Sequence, residues 1–83
     1  MASRVFYKGS VQRDLQRFDK PALRRLLDKI EGELAADPGR GTPLSGEFAG
    51  LFRYRVGDYR VIYAKIPEGL LVVRIGHRKE VYR

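Results

Sequence analysis

Hydrophobic and polar residues recur with two different periods along this chain of 83 residues. Near its start, the segment Arg4–Tyr7 combines β-branched and aromatic residues, which predicts a short strand. Ser10 is a suitable N-cap for a helix that follows this strand. Val11, Leu15 and Phe18 recur at helical spacing, so they are expected to form the apolar stripe of this first helix.

A second helix is predicted from Asp19 onward, because Asp caps helix N-termini and Pro21 is tolerated in a first turn. Apolar residues then recur at helical spacing: Leu23, Leu26, Leu27, Ile30 and Leu34. The pattern ends at Asp37-Pro38, since a residue before proline disfavours helical geometry. The pattern therefore predicts two antiparallel helices joined by a tight turn.

The second half of the chain has the shorter period of β-strands. Residues 39–50 contain four glycines and are predicted to form a loop. Three strands of an antiparallel meander are predicted after it, over residues 51–56, 59–66 and 70–75, with a short further strand over residues 80–83. The whole chain, residues 1–83, is expected to be one α+β domain of two layers. Its order is β-α-α-β-β-β(-β), with a helical hairpin on one face of a mainly antiparallel sheet.

The register of the predicted hairpins decides which side chains share a face of the sheet. A two-residue loop at Gly57-Asp58 would place Arg55 opposite Arg60. A three-residue loop at residues 67–69 would place Arg74 opposite Ile62, and Leu71, Val73 and Ile75 would then join the core face. Four arginines are expected on the opposite, exposed face: Arg53, Arg55, Arg60 and Arg74. Like charges opposite each other cost up to about 1 kcal/mol per pair, so the pattern indicates a polyanionic ligand.

The charge balance supports the same interpretation. Seventeen Lys and Arg residues against ten Asp and Glu residues give a formal net charge of +7. From Phe52 to the end there are eight basic and three acidic residues, so the excess lies mainly in the predicted sheet. Such a field attracts nucleic acid, an anionic membrane surface or an acidic protein.

Composition also excludes several classes of chemistry. The chain has no Cys and only one His, so a disulfide, a thiol nucleophile and a multi-histidine metal site within one chain are excluded. No metal and no cofactor is expected. Neither a membrane span nor, in residues 1–10, an apolar secretory signal is evident, so we expect no membrane association and a cytoplasmic location.

Two runs of sequence carry a family resemblance. Residues 44–63 read LSGEFAGLFRYRVGDYRVIY, and residues 73–82 read VRIGHRKEVY. Together with the helical hairpin ending at Asp37-Pro38, they strongly resemble the RelE/ParE superfamily of toxins from bacterial and archaeal toxin–antitoxin pairs. The resemblance covers practically the whole chain, and the second run and the Gly-Asp-Tyr-Arg motif favour the RelE branch.

Resemblance to the RelE branch implies an endoribonuclease that enters the ribosomal A site and cuts mRNA there, with the 2′-hydroxyl attacking the adjacent phosphate. It implies three catalytic residues: Arg60 at the scissile phosphate, Arg78 as a second phosphate-binding arginine, and Tyr82 stacking on a base or shaping the attack. RNA binding is expected of four further basic residues: Arg53, Arg55, Arg74 and Lys79. At Arg53 and Arg55 relatives commonly have lysine, and arginine accepts a proton poorly because it stays protonated.

His77 is the one side chain that titrates near neutrality without a large shift, which makes it the candidate general acid or base. Strand parity with Val73 and Ile75 would turn its ring towards the helices, unless a bulge near Gly76 re-aims it. A buried, hydrogen-bonded histidine is the alternative.

The resemblance also implies partners: a cognate antitoxin that forms a hetero-oligomer with this chain, and the ribosome with its mRNA. Two other functions are compatible with an arginine-rich sheet. One is a non-enzymatic poison of DNA gyrase, as in the ParE branch, and the other is a general RNA-binding module.

Overall fold

The computed structural model describes residues 3–77. They form a two-layer α+β structure in which helices pack on one face of a five-stranded sheet. The elements, in chain order, are β1 Arg4–Tyr7, α1 Gly9–Leu15, α2 Lys20–Asp28, β2 Thr42–Pro43, β3 Phe52–Val56, β4 Tyr59–Ile66 and β5 Gly69–His77. The predicted fold class is confirmed, while the strand expected over residues 80–83 lies outside the described residues. No helix within residues 3–77 is long and apolar enough to cross a bilayer.

The strands lie in the order β1-β5-β4-β3-β2. Strand β1 runs parallel to β5, and the other neighbours are antiparallel, so the sheet is mainly antiparallel as predicted. The sequence did not predict β2, a strand of two residues inside the expected loop. Its Thr42 pairs with Arg53.

Both helices form close to their predicted positions, but their details differ. Helix α1 begins at Gly9 with Lys8 as its N-cap, so Ser10 is inside the helix and its prediction as the cap was wrong. Helix α2 has Asp19 as its N-cap and proline in its first turn, as predicted. After Asp28 the helix widens into a π-helical segment, Lys29–Leu34, which the sequence pattern did not reveal.

The core lies between the helices and the sheet. It is formed by side chains at most 4% exposed: Val11, Leu26, Ile30, Leu34, Val61, Tyr63, Leu70, Val72 and Ile75. The predicted core positions of Leu71 and Val73 were wrong, because Leu70 and Val72 occupy the core instead.

Two irregularities in β5 explain this difference. The β4–β5 loop has two residues rather than three, since Ile66 pairs with Gly69, and this shift reverses the alternation of side chains. Further along, Ile62 pairs with Arg74 while Tyr63 pairs with Val72, which leaves Val73 as the extra residue of a bulge. The bulge restores the predicted pairing of Ile62 with Arg74 and the core position of Ile75.

Tyr63 joins the sheet to the chain that follows the helices. Its buried hydroxyl donates a hydrogen bond to the Pro38 carbonyl at 2.7 Å and accepts one from the Gly41 amide at 3.1 Å. We expect Tyr63→Phe to lower the free energy of unfolding by about 1–3 kcal/mol, because the buried Gly41 amide and the partly buried Pro38 carbonyl lose their partner. Urea unfolding measures the change. Tyr59→Phe is the control, because the Tyr59 hydroxyl has no hydrogen bond among residues 3–77; equal losses in both variants would contradict this role of Tyr63.

A candidate nucleic-acid interface

The pairing of β3, β4 and β5 brings the predicted arginines onto one face of the sheet. Arg55 pairs directly with Arg60, and Arg53 and Arg74 both pair with Ile62 from opposite sides. This face is opposite to the helices, whose side of the sheet carries Tyr63 and the other core residues. We call the surface formed by these four side chains the arginine face: Arg53, Arg55, Arg60 and Arg74.

An apolar row adjoins the arginine face along the strands. Phe6 pairs with Leu71, which pairs with Ala64, and all three lie on the face away from the core. Phe6 is 38% exposed, and the Arg4 guanidinium lies 5.6 Å from the centre of its ring. The sequence could not reveal this row, because the facing of Phe6 depends on which strand β1 joins.

Three arginines of this face form no ion pair within residues 3–77: Arg53, Arg55 and Arg60. Arg55 donates only to a backbone oxygen, that of Gly57, at 3.2 Å. Glu33, outside the arginine face, is the described carboxylate that forms ion pairs. It contacts both Lys29 and Arg40, and these contacts lower the pKa of Glu33. Arg53, Arg55 and Arg60 therefore form a cluster of positive charge with which no carboxylate of residues 3–77 forms an ion pair.

Arg60 has the most unusual environment of the four. Its Nε atom is buried and has no hydrogen-bond partner among the described residues, and Arg55 lies directly opposite. An unsatisfied buried donor costs about 1–3 kcal/mol, more when the group is charged. An anion bound beside Arg60 would supply both the missing acceptor and the missing countercharge.

His77 lies on the other side of the sheet. Its ring meets Tyr59 edge-on at 6.2 Å between centroids, and Tyr59 contacts Phe18 at 4.8 Å. The predicted orientation of His77, on the same side of the sheet as Ile75, is therefore correct, although Val73, which was predicted to share that side, is the extra residue of the bulge. The bulge in β5 occurs at Val73 and leaves His77 facing the helices, so the structure does not bring it together with the arginine face.

A groove that the sequence did not reveal lies between α1 and the end of β5. Its volume is about 600 Å³, and its lining includes Lys8, Ser10, Asp14 and Arg17 from α1 and its flanks. The opposite wall is the segment from Val73 to His77. Arg74 belongs to both this groove and the arginine face, so the two surfaces are continuous.

The remaining predicted site residues, Arg78, Lys79 and Tyr82, lie outside the described residues, and their roles stay predictions. The chemistry available to the arginine face follows from the properties of the guanidinium group. Arginine remains protonated in proteins and offers a planar set of donors suited to phosphate oxygens. The arginine face can therefore bind a phosphodiester and stabilise added negative charge, but it cannot accept a proton.

Comparison with known proteins gives the same family by three routes. Residues 5–82 match the family described as "ParE toxin of type II toxin-antitoxin system, parDE". The chain is 35% identical to Toxin RelG of Mycobacterium tuberculosis, over 95% of this chain and 94% of that protein. It is 37% identical to Toxin RelE of the same organism, over 95% of this chain and 84% of that one.

Solved structures extend the similarity to the fold. The toxin–antitoxin complex RelBE2 from Mycobacterium tuberculosis gives a TM-score of 0.86 at 30% identity, covering 96% of this chain and 95% of that one. An archaeal RelE–RelB complex from Pyrococcus horikoshii gives 0.69 at 29% identity, covering 98% and 100%. These matches confirm the resemblance read from residues 44–63 and 73–82. The chain belongs to the ParE toxin family of type II toxin–antitoxin systems, within the RelE/ParE superfamily.

Proposed function

We propose that this toxin is a ribosome-dependent endoribonuclease that cuts mRNA in the A site. Two relatives of similar length carry the names RelG and RelE, which supports the RelE branch. The main support for the proposal is the arginine face. Within it, Arg60 has a buried Nε that finds no hydrogen-bond partner among the described residues. A folded protein tolerates such a group when a ligand completes it, and a phosphodiester has the required charge and acceptors.

In the proposed reaction, a 2′-hydroxyl of the mRNA attacks the adjacent phosphate. The 2′-oxygen forms a bond to phosphorus, the bond to the 5′-oxygen of the next nucleotide breaks, and a proton passes to that leaving oxygen. Arg60 stabilises the added charge of the pentavalent phosphorane, and Arg78 is proposed to do the same. Tyr82 is proposed to orient the base next to the cut.

No arginine of the described face can serve as the general base, so the proposed catalysis rests on charge and on positioning of the 2′-hydroxyl by the ribosome. This requirement gives a physical reason for dependence on the ribosome. An isolated mRNA is flexible, and holding it in the attacking geometry is worth several kcal/mol of the barrier.

The deciding experiment is primer extension on an mRNA in a reconstituted translation mixture, with and without ribosomes. We expect new ends inside the reading frame only when ribosomes are present. A parallel DNA gyrase supercoiling assay tests the alternative, which the match to the ParE family favours. Gyrase inhibition without mRNA cuts would replace the proposal, and cuts without ribosomes would indicate a general ribonuclease.

We expect His77→Gln to leave the maximal cleavage rate within about threefold of wild type, because the ring lies on the helix side of the sheet beside Tyr59. A lost general base would instead cost about 10²-fold or more. Single-turnover cleavage at saturating toxin measures this rate at several pH values between about 6 and 8, the range over which histidine commonly acts as an acid or base. A loss of 10²-fold, together with loss of the pH dependence, would make His77 the catalyst.

Replacing Arg53 and Arg55 together by alanine is expected to weaken binding to mRNA-loaded ribosomes and to flatten its salt dependence. Each phosphate contact contributes about 0.7 to the slope of log affinity against log salt for a single strand. Filter binding at several salt concentrations measures the slope. The control replaces Arg24 and Arg25, an exposed pair on α2 outside the arginine face. An unchanged slope in the Arg53/Arg55 variant would remove these residues from the RNA surface.

A cognate antitoxin is the second proposed partner. The two solved relatives reported above are complexes of a toxin with an antitoxin. With a formal net charge of +7, the chain attracts an acidic segment. We propose that this segment is disordered alone and folds along the toxin, which lets a short chain cover a broad surface.

A further inference from the structure

The groove between α1 and β5 combines features that the proposed cutting reaction does not use. Three rings in successive contact line part of the groove: Phe18 contacts Tyr59, and Tyr59 contacts His77. All three rings are half-buried, so each keeps a surface open to the groove or its neighbourhood. Aromatic and imidazole rings of this kind stack on unpaired bases, worth about 1–3 kcal/mol per base.

Cationic side chains surround the rings. Lys8, Arg17 and Arg74 line the groove and are exposed, while Asp14 is the one carboxylate among the described lining residues. The sum of these four charges is positive, which suits a phosphate rather than a neutral or cationic ligand. The Ser10 hydroxyl adds a group that can both donate and accept a hydrogen bond.

The topology leaves backbone groups beside the groove. Strand β1 pairs with β5 only over Gly69–Val72, and the last bond between them runs from the Lys8 amide to the Val72 carbonyl at 3.0 Å. Beyond Val72, the described neighbour of β5 on this side is α1 rather than a strand. A sheet edge presents amide and carbonyl groups that can read the edge of a base.

We propose that this groove binds one nucleotide of a single-stranded RNA, with its base against the Tyr59–His77 rings and its phosphate between Lys8 and Arg17. This proposal rests on the proposed function, and it extends the RNA path from the arginine face around Arg74. A groove of about 600 Å³ is large enough for one nucleotide. The nucleotide belongs either to the mRNA beside the cut or to ribosomal RNA.

The first test compares two charge reversals on α1 and its flank. Arg17→Glu alters the groove, whereas Arg13→Glu makes the same charge change at an exposed position outside it. Binding of a short fluorescein-labelled single-stranded RNA is measured by anisotropy. We expect Arg17→Glu to weaken binding about tenfold more than Arg13→Glu, the effect of one lost charge-assisted contact. Equal losses would show that only net charge matters and would overturn the proposal.

Thermal unfolding of each variant guards against a folding defect, and Lys8→Glu replaces Arg17→Glu if the latter unfolds. His77→Gln supplies a second readout, since loss of a stacking ring should raise the KM of cleavage about threefold or more while kcat stays near wild type. An unchanged KM would count against base stacking in the groove.

Photocrosslinking on the ribosome then separates the two sources of RNA. Thiouridine is placed either in the mRNA or in the ribosomal RNA, and the crosslinked peptide containing Tyr59 is identified by mass spectrometry. A crosslink from either RNA to this peptide supports nucleotide binding in the groove and identifies which RNA supplies the nucleotide. Crosslinks only to peptides outside the groove contradict such binding.

If wild-type toxin cuts mRNA but the Arg17 and Arg13 variants behave alike, nucleotide binding in the groove is contradicted and the proposed function stands. If no cutting occurs while the tenfold difference in binding persists, the proposed function fails and the groove stands.

Discussion

Arg60→Ala is expected to lower ribosome-dependent mRNA cleavage by about 10²-fold or more, the loss measured when one donor to a developing oxyanion is removed from other enzymes. The fold should remain intact. Within residues 3–77 the buried Nε of Arg60 has no hydrogen-bond partner and the side chain lies opposite Arg55, so it contributes little to stability in the absence of RNA. The measurement is the single-turnover rate of cleavage on programmed ribosomes, with circular dichroism melting of the same preparation.

Two variants sharpen this prediction. Arg60→Lys keeps the positive charge but loses the planar donor set, so it should recover only part of the rate. Arg24→Ala removes an exposed arginine from α2 and should cleave as wild type does. If Arg60→Ala cleaves within about threefold of wild type, the arginine face does not contact the scissile phosphate.

Gly69→Ala is expected to be strongly destabilising, although it adds only one methyl group. Gly69 has φ +146°, a backbone conformation that residues with a Cβ rarely adopt. It is the first residue of β5 and pairs with Arg4 of β1. An added Cβ would overlap the Arg4 carbonyl oxygen and lie 2.7 Å from the Arg4 amide nitrogen. Backbone strain of about 1–3 kcal/mol and weakened β1–β5 pairing should together cost about 3 kcal/mol or more. In a domain of this size, that lowers Tm by roughly 12 °C or more.

The matched control is Gly32→Ala in the π-helical segment. Among the described residues, apart from its chain neighbours and the backbone of its own helical turns, no atom lies within 4 Å of a Cβ added there, and φ is not in the positive range. Alanine is a better helix former than glycine, so this variant should be as stable as wild type or more stable by up to about 1 kcal/mol. Similar melting temperatures for the two variants would show that the parallel β1–β5 pairing does not constrain Gly69.

Sequence alone predicted the arginine face because the Gly57-Asp58 hairpin fixes the register between β3 and β4. Gly57 has φ +57° and Asp58 does not have a positive φ, as a two-residue turn with glycine first requires. Once that loop length is known, Arg55 and Arg60 must pair, and alternation fixes the facing of Arg53.

The second hairpin was harder to predict. The run Pro67-Glu68-Gly69 is compatible with loops of two or three residues, and the choice reverses every side chain of β5 up to Val73. The bulge at Val73 then restores the register that a three-residue loop would have given. The predicted faces of Arg74 and Ile75 are therefore correct, whereas those of Leu71 and Val73 are wrong. Nothing local marks the bulge, because it depends on how β5 packs across the sheet.

The groove beside α1 could not be predicted at all. It exists because β1 ends at the level of Val72 while β5 continues, and this depends on the parallel pairing of two segments more than sixty residues apart. Its residues come from both ends of the chain, and none has a distinctive spacing. Long-range pairing of this kind leaves no periodic signal in a single sequence.

Attack by the 2′-hydroxyl is tested directly by a single 2′-deoxynucleotide in the mRNA at the position where wild-type toxin cuts on the ribosome. If the arginine face promotes attack by the 2′-hydroxyl, cleavage at that position should fall to background, while neighbouring cut sites persist and the unmodified mRNA gives a fragment ending in a 2′,3′-cyclic phosphate. Unchanged cleavage at the deoxynucleotide would contradict the proposed reaction.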